Sequence, residues 1–233
     1  MGFHFVDDAM MVCPRCGKAV LDRACLHALC CATSESTKGH YRVRDSALQL
    51  VSLADGSVDT ETPGLIPSAP HLRPADIYAE AALPGCQAAL DVGIMAPWAS
   101  GAGADCCEAM YQRKLRDYGA YLEELAEENI RYIPLTFSSL GRVHPQAMAV
   151  FTGIAMRAAR RKGLGDHELL LHRALSSMAV QIQRRAAAMV SRCLPIGSGE
   201  EVELLFEDVA SIASSEDSSP DVRADLDDIA ESL

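Results

Sequence analysis

The spacing of hydrophobic and polar residues changes several times along the chain, and each change predicts a different element. Apolar residues recur at helical spacing from residue 40 to Gly56, a residue typical of helix ends. Two short apolar runs then lie on either side of Pro84-Gly85, as expected for two strands joined by a turn. Further segments predict a short strand at 57–61, a long helix at 105–129, a strand at 131–141, and helices at 144–163 and 166–194.

One acidic residue lies in each of the two predicted hairpin strands. Asp76 precedes the Pro84-Gly85 turn, and Asp91 follows it in the otherwise apolar run AALDVGIM. A charge in a buried strand is costly unless it is paired or bound to a metal. Two carboxylates at one edge of a sheet repel each other, and a divalent cation such as Mg²⁺ or Mn²⁺ is the usual remedy.

Lys114, in the helix predicted after this hairpin, can place a positive charge at the same edge of the sheet. Two acids and a lysine around a hard metal ion are the groups needed to cleave a phosphodiester. The same residues also allow a structural interpretation. In that case Asp76 caps a turn, Asp91 pairs with an arginine and Lys114 faces water.

Cysteines near the start of the chain predict a metal site. A CxxC pair is followed by glycine, which is typical of a zinc-binding turn, and a histidine and a cysteine one helical turn apart share a face. The predicted ligands of this structural zinc site are Cys13, Cys16, His27 and Cys31. Cys25 and Cys30 compete for the fourth position. The alternative is a reduced, metal-free loop with buried thiols.

Composition changes this picture in two respects. The net charge of −11 lies wholly in residues 200–233, which carry twelve acidic residues and one arginine, so the rest of the chain is neutral and compatible with nucleic acid. No apolar run is long enough to cross a bilayer, and the first residues lack the features of a signal peptide. We therefore expect an intracellular protein without a membrane partner, whose nine cysteines stay reduced.

This order of motifs resembles the C-terminal region that follows the reverse transcriptase in non-LTR retrotransposons with a restriction-enzyme-like endonuclease. The resemblance covers about residues 13–194. It rests on the zinc ligands and on further segments: ETPGL from Glu61, Arg73-Pro74-Ala75-Asp76, Leu90-Asp91-Val92, Lys114 with Tyr118, and QIQRRAAAMVSR. The chain departs from the family at Gly39-His40-Tyr41, where the family has Arg-His-Asn, and at Asp117, where it has a second lysine.

The resemblance implies the PD-(D/E)xK nuclease fold, an α/β (α+β) core in which a mixed sheet is flanked by helices. In many members the catalytic lysine comes from a neighbouring helix, which suits Gly93 at the usual lysine position and Lys114 downstream. Together with the composition, the resemblance predicts that the chain has three parts. These are a zinc-knuckle segment at 1–38, an endonuclease-like domain at 39–197 and an acidic, largely disordered tail at 198–233.

The function implied by the resemblance is a metal-dependent DNA endonuclease that nicks double-stranded DNA. Asp76 and Asp91 would bind Mg²⁺ or Mn²⁺, and Lys114 would complete the catalytic site. Duplex DNA and a retroelement reverse transcriptase or its RNA are the expected partners, and the nucleus is the expected location. The candidate DNA contacts are basic side chains: His40, Arg42, Arg73, Arg160, Arg161, Arg184 and Arg185.

Two other functions stay open at the level of the sequence. The departures from the family motifs allow a catalytically inactive, zinc-containing remnant that binds DNA or a protein partner. The acidic tail also allows an interaction protein with no role on nucleic acid. If the protein binds DNA, the acidic tail could lie across the basic side chains and mimic the phosphates of the DNA. The alternative is a tail that is solvated and makes no contacts.

Overall fold

The computed structural model describes residues 12–22, 25–31 and 34–193. The predicted acidic tail and residues 1–11 therefore lie outside the described residues. The helices and strands, in chain order, are α1 (Ser34–Ala54), β1 (Val58–Thr60), β2 (Ile77–Leu83), β3 (Cys86–Met95), α2 (Cys106–Asp117), α3 (Leu122–Glu127), β4 (Ile130–Ser138), α4 (Pro145–Lys162) and α5 (His167–Cys193). Short 3₁₀ helices lie at Leu26–Leu29 and Gly119–Tyr121.

The four strands form one mixed sheet in the order β1-β2-β3-β4. β2 pairs antiparallel with β1 and with β3, whereas β3 and β4 run parallel. Gly85 takes the left-handed conformation (φ 78°) in the turn between β2 and β3, which glycine adopts without steric cost. β4 lies at the edge of this sheet, where Pro134 is tolerated because an edge strand needs backbone partners on one side only.

Alternation along β3 divides the molecule into two layers, because successive side chains of a strand point to opposite faces. Leu90 and Val92 face α1, α4 and α5, where they join the main core together with Phe137. Ala89 faces the other way and joins Tyr132 in a second core under α2 and α3. The prediction of a mixed sheet flanked by helices is confirmed.

The single helix predicted at 105–129 is wrong, because the structure has two helices there. α2 begins after Asp105, whose carboxylate accepts hydrogen bonds from two backbone amides of the first turn, and ends at Asp117. Tyr118 then leaves the helix and turns toward the sheet. Its ring packs on Tyr132 with 5.0 Å between ring centres, and its hydroxyl donates to the backbone carbonyl of Arg73 at 3.1 Å. These tertiary contacts override the helical periodicity of the sequence.

The other helix ends agree with the sequence to different degrees. α1 begins at Ser34 rather than at residue 40, and it ends at Ala54 rather than at Gly56. α4 is followed by Gly163 in the left-handed conformation (φ 67°), as predicted. α5 begins after Asp166, whose carboxylate accepts hydrogen bonds from two backbone amides of its first turn. None of the described helices is both long and apolar enough to cross a membrane.

Candidate active site and metal centre

Asp76 and Asp91 lie next to each other on the face of the sheet that α2 covers. Ile77 pairs with Leu90 in the antiparallel register, so Asp76 and Asp91, one position further along, are opposite each other and share a face. Each of the two side chains is 12% exposed. Asp76 also accepts a hydrogen bond at 2.7 Å from the backbone amide of Val92, which ties the start of β2 to the strand that carries Asp91.

Lys114 reaches this pair from α2, as the sequence predicted. Its Nζ atom donates a hydrogen bond to Asp91 Oδ1 at 2.6 Å. The lysine side chain crosses β3 at Gly93, where an added Cβ would lie 2.7 Å from Lys114 Cε and 2.8 Å from Met110 Cγ. The glycine therefore leaves the space that a lysine on the helix needs to reach the sheet.

Tyr132 contributes to the site, although the sequence patterns do not single it out. This buried tyrosine in β4 donates its hydroxyl hydrogen to Asp91 Oδ2 at 2.5 Å. Both carboxylate oxygens of Asp91 thus have a donor, one from Lys114 and one from Tyr132. A tyrosine within an apolar strand is the signal that could have found it, since a buried phenol usually has a hydrogen-bond partner.

His40 reaches the site from α1, on the other side of the sheet. Its Nε2 atom lies 3.0 Å from Asp76 Oδ1. One helical turn later, Arg44 pairs with Glu61 at 3.3 Å, and the guanidinium lies over the ring of the exposed Tyr41. The sequence predicted His40 as a DNA contact, whereas the structure places it against one of the two acids.

The two carboxyl groups titrate at different pH. Burial raises the pKa of Asp91 to about 6, although the charge of Lys114 and the hydrogen bonds from Lys114 and Tyr132 favour the ionised form. Burial also acts to raise the pKa of Asp76, but this pKa is lowered because the hydrogen bond and charge of His40, the amide of Val92 and the charge of Lys114 together outweigh it. Environments that separate the pKa values of two neighbouring acids are typical of acid–base sites.

Tyr132→Phe is expected to raise the pKa of Asp91 further. Phenylalanine keeps the ring that packs on Tyr118 but removes the donor to Asp91 Oδ2, and that donor favours the ionised carboxylate. A net hydrogen bond to a charged group is worth about one pKa unit or more. Titration of the Asp91 carboxyl carbon by NMR measures the effect. Tyr118→Phe is the matched control, because its hydroxyl donates to a backbone carbonyl instead, and an equal shift in both variants would contradict this assignment.

The structure also brings the four predicted zinc ligands together. One ligand atom from each of Cys13, Cys16, His27 and Cys31 lies within 4.8 Å of the other three. The CxxC turn is closed by the amide of Gly17, which donates to the backbone carbonyl of Cys13 at 2.8 Å. His27 points its Nε2 atom at Cys16 Sγ, 3.3 Å away. Cys25 and Cys30, the competing cysteines, do not belong to this group.

The chemistry of these donors fits zinc. Three thiolates and one imidazole form a common ligand set of structural zinc sites. Hydrogen bonds from the backbone at Ala19 and Lys18 lower the pKa of Cys16 to about 6, which favours its thiolate. Burial, with the charges of Cys13 and Cys16, raises the pKa of Cys31 to about 11. Thiolates this close repel one another, and a bound divalent cation removes that repulsion.

No protein-family model, curated protein or solved structure matches this chain. The two sites are therefore interpreted from their own geometry and donor chemistry.

The segment that carries the candidate zinc ligands contacts α5 and the loop after β3. Cys193, near the end of α5, is buried with its Sγ atom 3.8 Å from that of Cys13. Trp98, in the loop after β3, donates its indole hydrogen to the backbone carbonyl of Leu26 at 2.7 Å. The 3₁₀ helix that carries His27 thus packs on elements of the sheet domain, so the two predicted segments share contacts.

A second group of possible ligands, Asp105, Cys106 and Cys107, lies at the start of α2. Asp105 caps this helix and forms an ion pair with Arg142, which together hold its pKa near 2. Burial raises the pKa of Cys107 to about 12, so its thiol stays protonated. The helix cap and the ion pair explain why these three residues lie together, and no metal ion is needed to explain it.

His40 contacts Asp76, as described above, and the other predicted DNA contacts are exposed on the surface except for Arg185. Arg42, Arg73 and Arg184 are exposed, as are Arg160 and Arg161 near the end of α4. Arg185 is instead buried against α1, where its side chain leaves no room for a Cβ at Gly39 and its Nη2 atom donates to the Ser36 hydroxyl at 2.9 Å. Arg185 thus joins α5 to α1 and does not present its guanidinium to a phosphate backbone.

Proposed function

We propose that this protein is a metal-dependent endonuclease that nicks double-stranded DNA, on a PD-(D/E)xK-type core derived from a non-LTR retrotransposon. The observation that carries the proposal is the convergence of Asp76, Asp91 and Lys114 on one face of the sheet. Three separate places in the chain supply one group each: the residue before β2, the middle of β3 and the helix α2. A structural ion pair would need only Asp91 and Lys114, so the second carboxylate opposite Asp91 supports a catalytic arrangement.

The donor chemistry of the acid pair fits a magnesium or manganese ion. Asp76 and Asp91 offer carboxylate oxygens, which are the ligands that hard divalent cations take in proteins. Each oxygen already has one protein donor, from His40, Val92, Lys114 or Tyr132, and keeps a further lone pair. When bound, the ion supplies positive charge at the phosphate that is attacked.

The residues around the acids have separate tasks in phosphodiester hydrolysis. Water attacks the phosphorus, the bond from phosphorus to the 3′ oxygen breaks, and that oxygen takes a proton to leave as a 3′-hydroxyl. Lys114, held by Asp91, places a positive charge where the phosphoryl oxygens gain negative charge. Tyr132 and His40 hold the two carboxylates in place. The zinc site, on this proposal, has a structural role only.

The inactive zinc module is the second candidate, and one observation favours it. Both oxygens of Asp91 and both oxygens of Asp76 have hydrogen-bond donors within the protein. A carboxylate pair satisfied in this way is stable without a metal ion. On this second candidate function, the protein binds DNA or a protein partner through its surface, and Asp76, Asp91 and Lys114 serve only to stabilise the fold.

A plasmid nicking assay separates the two candidates. The zinc-loaded protein with Mg²⁺ or Mn²⁺ is expected to convert supercoiled plasmid to the open-circular form. Lys114→Met should slow this conversion by about 10²–10³-fold, because it keeps a long side chain over Gly93 but removes the charge. Arg113→Met is the matched control. Arg113 is an exposed neighbour on α2 whose ion-pair contact is Asp117, at 3.9 Å.

Two results would contradict the nuclease. If the folded protein nicks with neither ion, the site is inactive and the second candidate stands. If Lys114→Met and Arg113→Met reduce nicking equally, the effect comes from weaker DNA binding by α2, and Lys114 is not part of the catalytic site.

A further inference from the structure

A cleft of about 480 Å³ opens at the end of the molecule that lies away from the acid pair. Its floor is apolar and consists of Ala54, Pro84, Gly153 and Met156. The helix α1 connects the acid pair to the cleft, because its residue His40 contacts Asp76 and its last residue, Ala54, lines the cleft. Fourteen residues of helix correspond to about 21 Å. The cleft is therefore separate from the acid pair.

Three arginines of α4 surround this floor with positive charge that the described residues do not neutralise. Arg157 and Arg160 have no carboxylate partner in the described part of the chain, and Arg161 donates to backbone carbonyls at the end of α1. Asp55, next to the floor, accepts hydrogen bonds from two backbone amides instead. Arg160 and Arg161 lie in the last turn of α4, where the negative end of the helix dipole stabilises their positive charges. Three guanidinium groups around a concave surface also attract an anion.

Gly153 indicates that the floor is kept open. It lies in the middle of α4, where glycine is less favourable than alanine. A Cβ at this position would meet no atom within 4 Å, so packing against neighbours does not require glycine. Its missing side chain leaves a flat apolar surface beside Met156, which is 38% exposed. A planar ring can lie on this surface between the arginines.

We infer that this cleft binds a nucleotide, with the base on the floor at Gly153 and Met156 and the phosphate held by Arg157 and Arg160. A guanidinium group binds phosphate through two parallel hydrogen bonds and also stacks on planar rings. The volume lies within the range of roughly 300–1,000 Å³ that is usual for small-molecule sites. The nucleotide is either a free mononucleotide or one nucleotide of a DNA strand. The inference does not depend on the proposed nuclease activity.

Isothermal titration calorimetry without added Mg²⁺ tests the site with adenosine 5′-monophosphate, adenosine and a 5′-phosphorylated single-stranded oligonucleotide. One phosphorylated ligand per chain is expected to bind, and adenosine is expected to bind at least about tenfold more weakly. Arg157→Gln with Arg160→Gln should lose at least about tenfold in affinity because the phosphate loses its donors. Gly153→Met should lose as much because its side chain fills the floor while every charge remains.

Arg173→Gln is the control, since Arg173 is an exposed arginine of α5 that does not line the cleft. It should leave the affinity unchanged, and all variants should keep the melting temperature of the parent protein or exceed it. Binding of the mononucleotide identifies a free nucleotide as the ligand, whereas binding of the oligonucleotide alone identifies a strand. Absence of binding by both phosphorylated ligands would overturn the inference, and so would equal binding by Gly153→Met and the parent. Plasmid nicking by these variants is measured in a separate assay, so that the nucleotide site and the nuclease activity can each be disproved without the other.

Discussion

Asp91→Asn is expected to abolish nicking and, above pH 6, to make the protein more stable. Asparagine keeps the shape of the side chain but cannot be ionised, and removal of this charge should slow nicking by about 10³-fold or more. In the folded protein, burial raises the pKa of Asp91 to about 6. The ionised carboxylate is thus less favourable there than in the unfolded chain, by roughly 3 kcal/mol.

The sign of this effect determines the pH window. Because the folded protein binds the proton more tightly than the unfolded chain, stability is highest below pH 4 for this group and falls as the pH rises to about 6. Asp91→Asn should therefore match the parent protein near pH 4 and exceed its free energy of unfolding by roughly 2–3 kcal/mol at pH 8. Urea unfolding at the two pH values measures both numbers.

Asp76→Asn is the matched comparison, since the pKa of Asp76 is lowered in the folded protein. A lowered pKa stabilises the fold above the ordinary pKa of the acid, and the contribution is lost as the pH falls through the folded value. This variant should therefore lose stability at neutral pH while it also stops nicking. A loss of stability in Asp91→Asn at pH 8 would show instead that Asp91 is a net stabilising partner of Lys114, and the catalytic interpretation of its raised pKa would be wrong.

The local parts of the fold could be predicted because each depends on short-range physics. The hairpin around Pro84-Gly85 follows from a turn signal between two apolar runs, and the end of α4 at Gly163 follows from the left-handed conformation that glycine allows. Asp76 and Asp91 were correctly expected at one edge of the sheet, but their exact pairing could not be predicted from the turn, because the register shifts between Ala79 and Leu83. Lys114 could be predicted from its place in the helix that follows the hairpin, and the family resemblance indicates the same residue.

The parts that could not be predicted depend on contacts between distant segments. Tyr118 breaks the predicted helix because it packs on Tyr132, a residue that lies two elements further along the chain. The contact of His40 with Asp76 spans the sheet from one layer to the other. Arg185 reads as a surface arginine in an Arg-rich helix, yet the close approach of Gly39 buries it. Periodicity identifies the elements, whereas these side chains are placed by how the elements pack.

Cys31→Ser is expected to release most of the zinc, whereas Cys30→Ser should retain it. The parent protein should contain about one zinc ion per chain, as a closed four-ligand site requires. Cys31 belongs to the group whose ligand atoms lie within 4.8 Å of one another, and Cys30, one residue earlier, is exposed and outside it. Loss of a direct ligand should weaken zinc binding by more than the roughly 10–100-fold that loss of an outer partner costs.

Zinc content by mass spectrometry after dialysis against a weak chelator measures this difference, and hydrogen exchange shows where the fold depends on the ion. In Cys31→Ser the amides between Cys13 and Cys31 should exchange faster, because the four ligands join the CxxC turn to the 3₁₀ helix of this segment. The amides of β3 and β4 should stay protected, since the main core around them contains none of the ligands. Equal zinc loss from Cys30→Ser and Cys31→Ser would show that Cys31 is not the specific fourth ligand. Faster exchange throughout the sheet would instead mean that the ion stabilises the whole fold through the contact between Cys13 and Cys193.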